Sequence, residues 1–334
     1  MPGLLVTSLL GGCVLSRPVE APVASEQAMD RRDFPATVDG APLLEGVSYG
    51  PFREGQRPGG PDPTEEQLRE DLHILAERWQ MIRIYGSRGP AEPILRIIDE
   101  EELPLKVVVG AWIAAESAEG PNPAGVADEN AEEVAEAIRL AQAYPEVVIA
   151  VSVGNETQVS WSGHCSDPQV LAAYLRQVRS AVAQPVSTAD DYNFWNKPQS
   201  HDLAGEVDFI MLHAYAMWNQ QQPDQALDWT ARTVASIQSE HPDLKVVLAE
   251  TGWATELNPE GDEAQWIKAP AGEAEQARFH AELTTWARAE GLPIFWFEAF
   301  DEPWKGSEDP REVEKHWGLY DVKRQPKQAL SSGP

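Results

Sequence analysis

Eight short apolar runs, each separated from the next by a helical pattern, limit this chain to very few architectures. The runs lie at residues 44–49, 81–85, 106–112, 147–153, 185–189, 207–213, 245–249 and 293–297. Most are rich in Val and Ile and apolar on both faces, as strands buried inside a parallel sheet are. Helical spacing fills the gaps. Leu68, Leu72, Leu75 and Ala76 recur behind Asp62-Pro63-Thr64-Glu65, where Asp62 can cap, Pro63 suits a first turn and Glu65 makes a capping-box-like arrangement. Val134, Ile138 and Ala141 share one face, and Leu171, Tyr174, Leu175 and Val178 form a stripe behind Asp167-Pro168. Eight strand–helix units over residues 43–334 predict one (β/α)8 TIM barrel, of class α/β. A doubly wound sheet is the competitor, but Gly50-Pro51-Phe52 after the first strand is not a glycine-rich phosphate loop.

The residues ahead of the barrel read differently. Residues 4–12 are apolar and too short to span a bilayer, so 1–13 is expected to be the end of a signal peptide. Leu10-Gly11-Gly12-Cys13 resembles a bacterial lipobox, which would make Cys13 a lipidated amino terminus. No Lys or Arg precedes the apolar run, and Val14 stands where an aspartate is associated with inner-membrane retention. The expected location is the periplasm or outer membrane of a bacterium, or a cell surface. Residues 14–42, rich in Pro, Ala, Glu and Asp without periodicity, are expected to be a disordered tether.

A formal net charge of −28 argues against nucleic acid, anionic membrane or a polyanionic substrate as partners, and leaves a neutral polymer compatible. Membrane contact is expected only through the lipid anchor, and the chain is expected to be a monomer. Two cysteines, Cys13 and Cys165, have no metal or redox spacing, and His164 beside Cys165 makes a poor chelate. No metal or organic cofactor is implied.

The chemistry lies at the strand ends. In a barrel the carboxyl ends of the strands carry function. Those ends give Tyr49, Arg83 and Tyr85, Trp112, Asn155 and Glu156, Thr188, Asp190 and Asp191, His213 and Tyr215, Glu250 and Trp253, then Glu298, Asp301, Glu302, Trp304 and Lys305. Polar and aromatic residues of this kind bind sugars. The chain has twelve tryptophans, and Trp112, Trp161, Trp195, Trp218, Trp253 and Trp304 all fall at or beyond strand ends, where an indole can stack on a sugar. Glu156 and Glu250, after the expected fourth and seventh strands, would face each other across the mouth. Two carboxyl groups about 5–5.5 Å apart are what a retaining glycosidase needs, one as proton donor and one as nucleophile. Asn155 offers an amide to a sugar 2-hydroxyl.

Five ordered segments resemble glycoside hydrolase family 17: Gly46–Tyr49 (GVSY), Ile82–Gly86 (IRIYG), Val153–Glu156 (VGNE), Ala249–Trp253 (AETGW) and Phe297–Lys305 (FEAFDEPWK). The segment 50–56 is similar to the bacterial branch, and 316–320 to the closing segment of the family. The resemblance runs from about Gly46 to Tyr320. It implies a (β/α)8 fold and action on β-1,3-glucan, with Glu156 as acid/base and Glu250 as nucleophile. It further implies that Asn155 meets the sugar at the cleavage point, that Tyr49 and Tyr85 lie beside the nucleophile, and that Trp253, Glu298 and Lys305 line the cleft. The remaining substrate-binding candidates are Arg83, Trp112, Asp190, His213, Tyr215, Asp301 and Trp304. Hydrolysis is the first expectation and β-1,3-glucanosyl transfer with the same residues the alternative. A β-1,4-linked substrate and a non-catalytic glucan-binding lipoprotein are the further alternatives.

Overall fold

The computed structural model describes residues 30–35, 37–38 and 40–331. Residues 1–13, Cys13 and most of the expected tether lie outside the described residues. From Arg31 onward the chain forms one compact unit. A small antiparallel hairpin, β1 (Thr37–Val38) and β2 (Ala41–Pro42), comes first. Then β3 (Glu45–Ser48), β4 (Met81–Ile84), β5 (Lys106–Ala111), β6 (Val148–Asn155), β7 (Val186–Asp191), β8 (Ile210–His213), β9 (Val246–Thr251) and β10 (Ile294–Trp296) close into a barrel in sequence order. Every neighbouring pair in the barrel is parallel.

Helices α1 (Glu65–Ala76), α2 (Ala91–Glu100), α3 (Val126–Ala143), α4 (Pro168–Ala181), α7 (Ala226–Glu240) and α8 (Glu273–Glu290) cover the outside. Between β7 and β8 stand only two short helices, α5 (Tyr192–Trp195) and α6 (Ser200–Ala204), and α9 (Gln328–Ser331) follows the long loop after β10. The start of α1 differs in detail from the sequence reading. Thr64 is the N-cap, accepting from the Gln67 amide while the Gln67 side chain accepts from the Thr64 amide, so the box is Thr64–Gln67.

Strand alternation divides the core into two layers. Val47, Ile82, Val107, Val151, Val186, Leu212 and Leu248 face outward and pack under the helices. Met81, Val108, Ala150, Ala189, Met211, Val247 and Phe295 belong to the separate interior cluster. Three strands run further than their apolar runs: β6 to Asn155, β7 to Asp191 and β9 to Thr251. Hydrophobicity stops where the side chains become polar, while the backbone ladder continues.

The structure corrects the extent of the tether. Phe34 is buried in the interior cluster, its ring 5.0 Å from that of Phe209. Arg32 donates to Asp208 through its amide and Nε, both at 3.0 Å, and through Nη1 to the Val182 carbonyl at 2.6 Å. Asp208 also accepts from Arg179 at 2.7 Å and from the Val186 amide at 2.8 Å. The segment therefore plugs the amino-terminal end of the barrel, opposite the mouth. Its composition resembles a linker, but one aromatic and one arginine with partners 150 or more positions away hold it in place.

Candidate active site

Arg83, on the inner face of β4, organises the mouth. Its Nη1 donates to Glu250 Oε1 at 2.7 Å and to the Ala249 carbonyl at 3.2 Å, and its Nη2 donates to Asn155 Oδ1 at 2.6 Å. Tyr85 donates to Glu250 Oε1 at 2.8 Å and Tyr215 to Glu250 Oε2 at 2.6 Å. Glu250 thus has both oxygens occupied by donors and is almost wholly buried. Burial pushes its carboxyl up, but the charges at His213 and Arg83 and the two phenols outweigh this and hold it below the ordinary carboxylate range. Both phenols move the other way. Burial, and then the Glu250 charge, raise Tyr85 and Tyr215 well above the usual tyrosine value, so they stay protonated donors.

His213, fully buried at the end of β8, lies between the two carboxylates. Its Nδ1 is 3.0 Å from Glu156 Oε1 and its Nε2 is 3.3 Å from Glu250 Oε1. One ligand atom from each of Glu156, His213 and Glu250 falls within 4.8 Å of the others. Such a trio could in principle hold a cation. Here Oε1 of Glu250 already accepts from Arg83 and Tyr85, and an added cation would face the guanidinium charge at close range. The arrangement sets one carboxyl group on either side of a single imidazole.

Two irregularities aim these carboxylates. The β6–β7 register shifts between Ser152 and Asn155, with Gly154 at φ 79° and Glu156 at φ 51°. A Cβ on Gly154 would come within 3.0 Å of Thr157 Cγ2 and 3.1 Å of Leu171 Cδ1, so only glycine fits this left-handed turn. The β8–β9 register shifts between Leu212 and His213, which brings His213 opposite Glu250. Bulges at strand ends re-aim side chains in this way.

Around this centre lies a second carboxylate group. Lys305 Nζ meets Glu298 at 2.9 and 2.8 Å and Glu302 at 2.8 Å, and Trp304 Nε1 donates to Glu302 at 2.9 Å. Burial and the Glu302 charge raise Glu298 well above the carboxylate range despite Lys305, whereas Lys305 and the bonds from Glu298 and Trp304 lower Glu302 against its burial. Gly50 leaves room for the Glu302 carboxylate, which a Cβ there would strike.

The expected site residues sort clearly. Glu156, Glu250, Arg83, Tyr85, Asn155, His213 and Tyr215 come together in one network. Glu298, Lys305 and Trp304 form the neighbouring group, and Trp112 stands half-exposed against the His164 ring, with centroids 4.5 Å apart. Tyr49 does not belong to the network. Its phenol donates to Asp71 at 3.2 Å, because alternation from inward Ser48 turns Tyr49 outward toward α1. Asp190 is buried and accepts from the Gln158 and Asp191 amides, both at 2.9 Å, so it fixes a turn. Trp253 and Trp195 are core residues without exposure, bonding the Pro270 and Met211 carbonyls at 3.0 and 3.2 Å. Asp301 pairs with Lys327 at 2.7 Å and the Gly318 amide at 3.0 Å, which ties down the closing segment.

Two further residues outside the strand-end set lie near this network. His164 bonds the Asn155 carbonyl at 2.7 Å, and its only sequence signal was its place in the loop after Glu156. Glu314 lies in the 3-10 turn Val313–Lys315, far along a loop with no strand end to mark it. Burial and the charges of Glu312, Glu156 and Glu250, opposed by Lys305, raise its carboxyl to about 7.

A profile of the BtgE/BtgC glycoside hydrolase domain matches residues 46–318. A glucan 1,3-beta-glucosidase of Arthroderma benhamiae is 27% identical over 288 residues, which are 81% of this chain and 86% of that protein. A probable glucan endo-1,3-beta-glucosidase btgC of Aspergillus clavatus is 26% identical over 293 residues, 80% of this chain but 39% of that much longer protein. The crystal structure of an endo-laminarinase from Formosa Hel1_33_131 superposes with a TM-score of 0.75 at 26% identity, covering 86% of each chain.

Proposed function

The chain belongs to the BtgE/BtgC glycoside hydrolase family, and from that premise we propose that it acts on β-1,3-glucan by a retaining double displacement, with Glu250 as nucleophile and Glu156 as acid/base. The observation that carries this reading is the pairing of the two carboxylates on either side of His213, with ligand atoms of all three inside 4.8 Å. Retaining enzymes place their carboxyl groups about 5–5.5 Å apart, and inverting ones leave room for a water between them. The substrate class rests on the names of the similar proteins, a glucan 1,3-beta-glucosidase and an endo-laminarinase, and on family 17 motifs of the bacterial branch.

In the first step an oxygen of Glu250 bonds to the anomeric carbon as the bond from that carbon to the leaving glucosyl oxygen breaks. Glu156 gives its proton to that oxygen. In the second step Glu156 takes a proton from the acceptor hydroxyl, whose oxygen bonds to the anomeric carbon and displaces Glu250. Charge leaves Glu250 in the first step and returns in the second. Arg83, Tyr85 and Tyr215 suit it to both, since fixed donors stabilise the departing carboxylate without reorganising. His213 faces one carboxylate with each ring nitrogen, so it can donate to both when protonated and to one when neutral.

Water or a second glucan can be the acceptor, and the residues are the same for both. A mass-spectrometric time course on one defined laminari-oligosaccharide separates them. Shorter products alone mean hydrolysis, and products longer than the starting sugar mean glucanosyl transfer. Turnover of cellulose chains without laminarin turnover would overturn the substrate class. We further propose a monomer exported and held by a lipid on Cys13. A diacylglyceryl group on the mature terminus in intact-mass spectra tests the anchor, and light scattering tests the monomer.

A further inference from the structure

Among the described residues, four large apolar side chains are exposed, and all four are tryptophans. They are Trp112 (39%), Trp161 (61%), Trp266 (58%) and Trp304 (39%). Each lies on a loop that follows a barrel strand: β5, β6, β9 and β10 respectively. All four therefore stand on the catalytic face, and none on the helical wall or the opposite end. Single exposed apolar residues scattered over a surface need no explanation. Gathering every one of them on the face that carries the paired carboxylates does.

The four form two pairs. Trp112 is backed by His164, and Trp304 by Phe52, with ring centroids 6.0 Å apart, and by its bond to Glu302. Trp161 and Trp266 make no ring contact and no side-chain hydrogen bond among the described residues. Their loops are nevertheless pinned. Beside Trp161, Val159 is buried, the Ser166 amide bonds the Thr157 carbonyl at 2.9 Å, and the Asp167 amide bonds the Glu116 carbonyl at 2.9 Å. Beside Trp266, Ile267 is buried, the Trp266 and Ile267 amides both bond the Glu263 carbonyl at 2.9 Å, and Gln222 bonds the Lys268 carbonyl at 3.3 Å. Each indole is held out into solvent by a fixed backbone.

We infer that Trp161 and Trp266 are sugar-stacking residues at the two ends of an extended cleft, so that the enzyme is built for long glucan chains. The inference rests on the glucan reading of the site. The leaving group must lie toward Glu156 on β6, and the sugar that becomes covalently bound must lie over Glu250 on β9. A chain laid along that line has Trp112 and Trp161 on the leaving-group side, and Trp266 and Trp304 on the other. A β-glucan presents flat C–H faces that an indole covers, and it carries no charge. Asp262 and Glu263 beside Trp266, with the net charge of −28, disfavour an anionic partner there.

The test compares kcat/KM on polymeric laminarin and on laminaritriose for wild type, Trp161→Ala and Trp266→Ala, with thermal melts to confirm folding. Covering one indole face supports a loss of about fivefold to tenfold in polymer turnover beyond any loss on the trimer, for each variant. Phe at either position is expected to restore most of it. An unchanged polymer-to-trimer ratio in both variants, whether both rates hold or fall together, would overturn the inference. A wild-type enzyme that turns over neither sugar would instead overturn the glucan reading beneath it.

Discussion

The Tyr215 hydroxyl donates to Oε2 of Glu250 at 2.6 Å from the loop that follows the neighbouring strand. With Tyr85 on Oε1 it holds the carboxylate from both sides. Removing one phenol with Tyr215→Phe should lower kcat by about 10–100-fold, the loss of one neutral donor to a charged group in a buried site. Because both phenols lower the Glu250 pKa, the acid limb of the kcat/KM profile should also move to higher pH. An acid limb that stays in place would show that the bond does not tune the nucleophile.

The two carboxylates predict different chemical defects. Glu250→Gln should abolish turnover, by at least about 10³-fold, and should no longer accumulate a trapped 2-fluoroglucosyl adduct at position 250. Glu156→Gln should reduce turnover by roughly 10²–10⁴-fold on natural leaving groups and less on a good leaving group that needs no proton. Equal losses on both leaving groups would remove Glu156 from the acid role.

Tyr49 supplies a contrasting case. Its phenol bonds Asp71, which also pairs with Arg53 and Arg324 at 2.7 Å. Tyr49→Phe should lower the melting temperature by a few degrees, about 0.5–1.5 kcal/mol, and leave kcat/KM within twofold. A tenfold loss of kcat with an unchanged melting temperature would return Tyr49 to the nucleophile.

At the opposite end, Asp208 is buried and meets Arg32 and Arg179. Burial pushes its carboxyl up, but Arg179, the Arg32 and Val186 amides and the Arg32 charge outweigh that and leave it lowered. A lowered carboxyl contributes stability above its unfolded pKa and loses it as pH falls through the folded value. Asp208→Ala should therefore destabilise by about 3–5 kcal/mol at neutral pH, with the difference from wild type shrinking below about pH 4. Denaturant melts across pH 3–7 check both. Phe34→Ala should cost about 3 kcal/mol or more by emptying the barrel floor.

Asp191 titrates with the opposite sign. Its buried carboxyl is raised to about 6, since burial and the Glu156 charge prevail over its bonds from Asn193. A raised carboxyl favours the folded state while protonated, and that preference is lost as pH climbs from about 4 to about 6. Asp191→Asn, which keeps an acceptor for the Asn193 amide, should lose less stability than wild type over that window, on the order of 1–3 kcal/mol. Parallel pH–stability curves would remove Asp191 as the cause.

Sequence alone determined the barrel and which residues gather at its mouth. Eight apolar runs gave the eight strands within a few residues, and the change from apolar to polar at each strand end marked Arg83, Asn155, Glu156, His213, Tyr215 and Glu250 as the mouth. Periodicity even contained the correction for Tyr49, since it shares its parity with outward Val47. What periodicity could not contain is aim. Simple alternation from inward Ala249 would turn Glu250 outward with Leu248, and the register shift at Leu212/His213 brings it opposite His213 instead. The turn at Gly154 does the same for Asn155, which shares its parity with outward Val151 and Val153 yet meets Arg83. The burial of Trp195 and Trp253 and the docking of Phe34 are likewise contacts between segments apart in the chain. Local sequence fixes what a side chain can do and which face its strand offers. Only closure of the barrel, with the bulges that closure selects, fixes what each side chain meets.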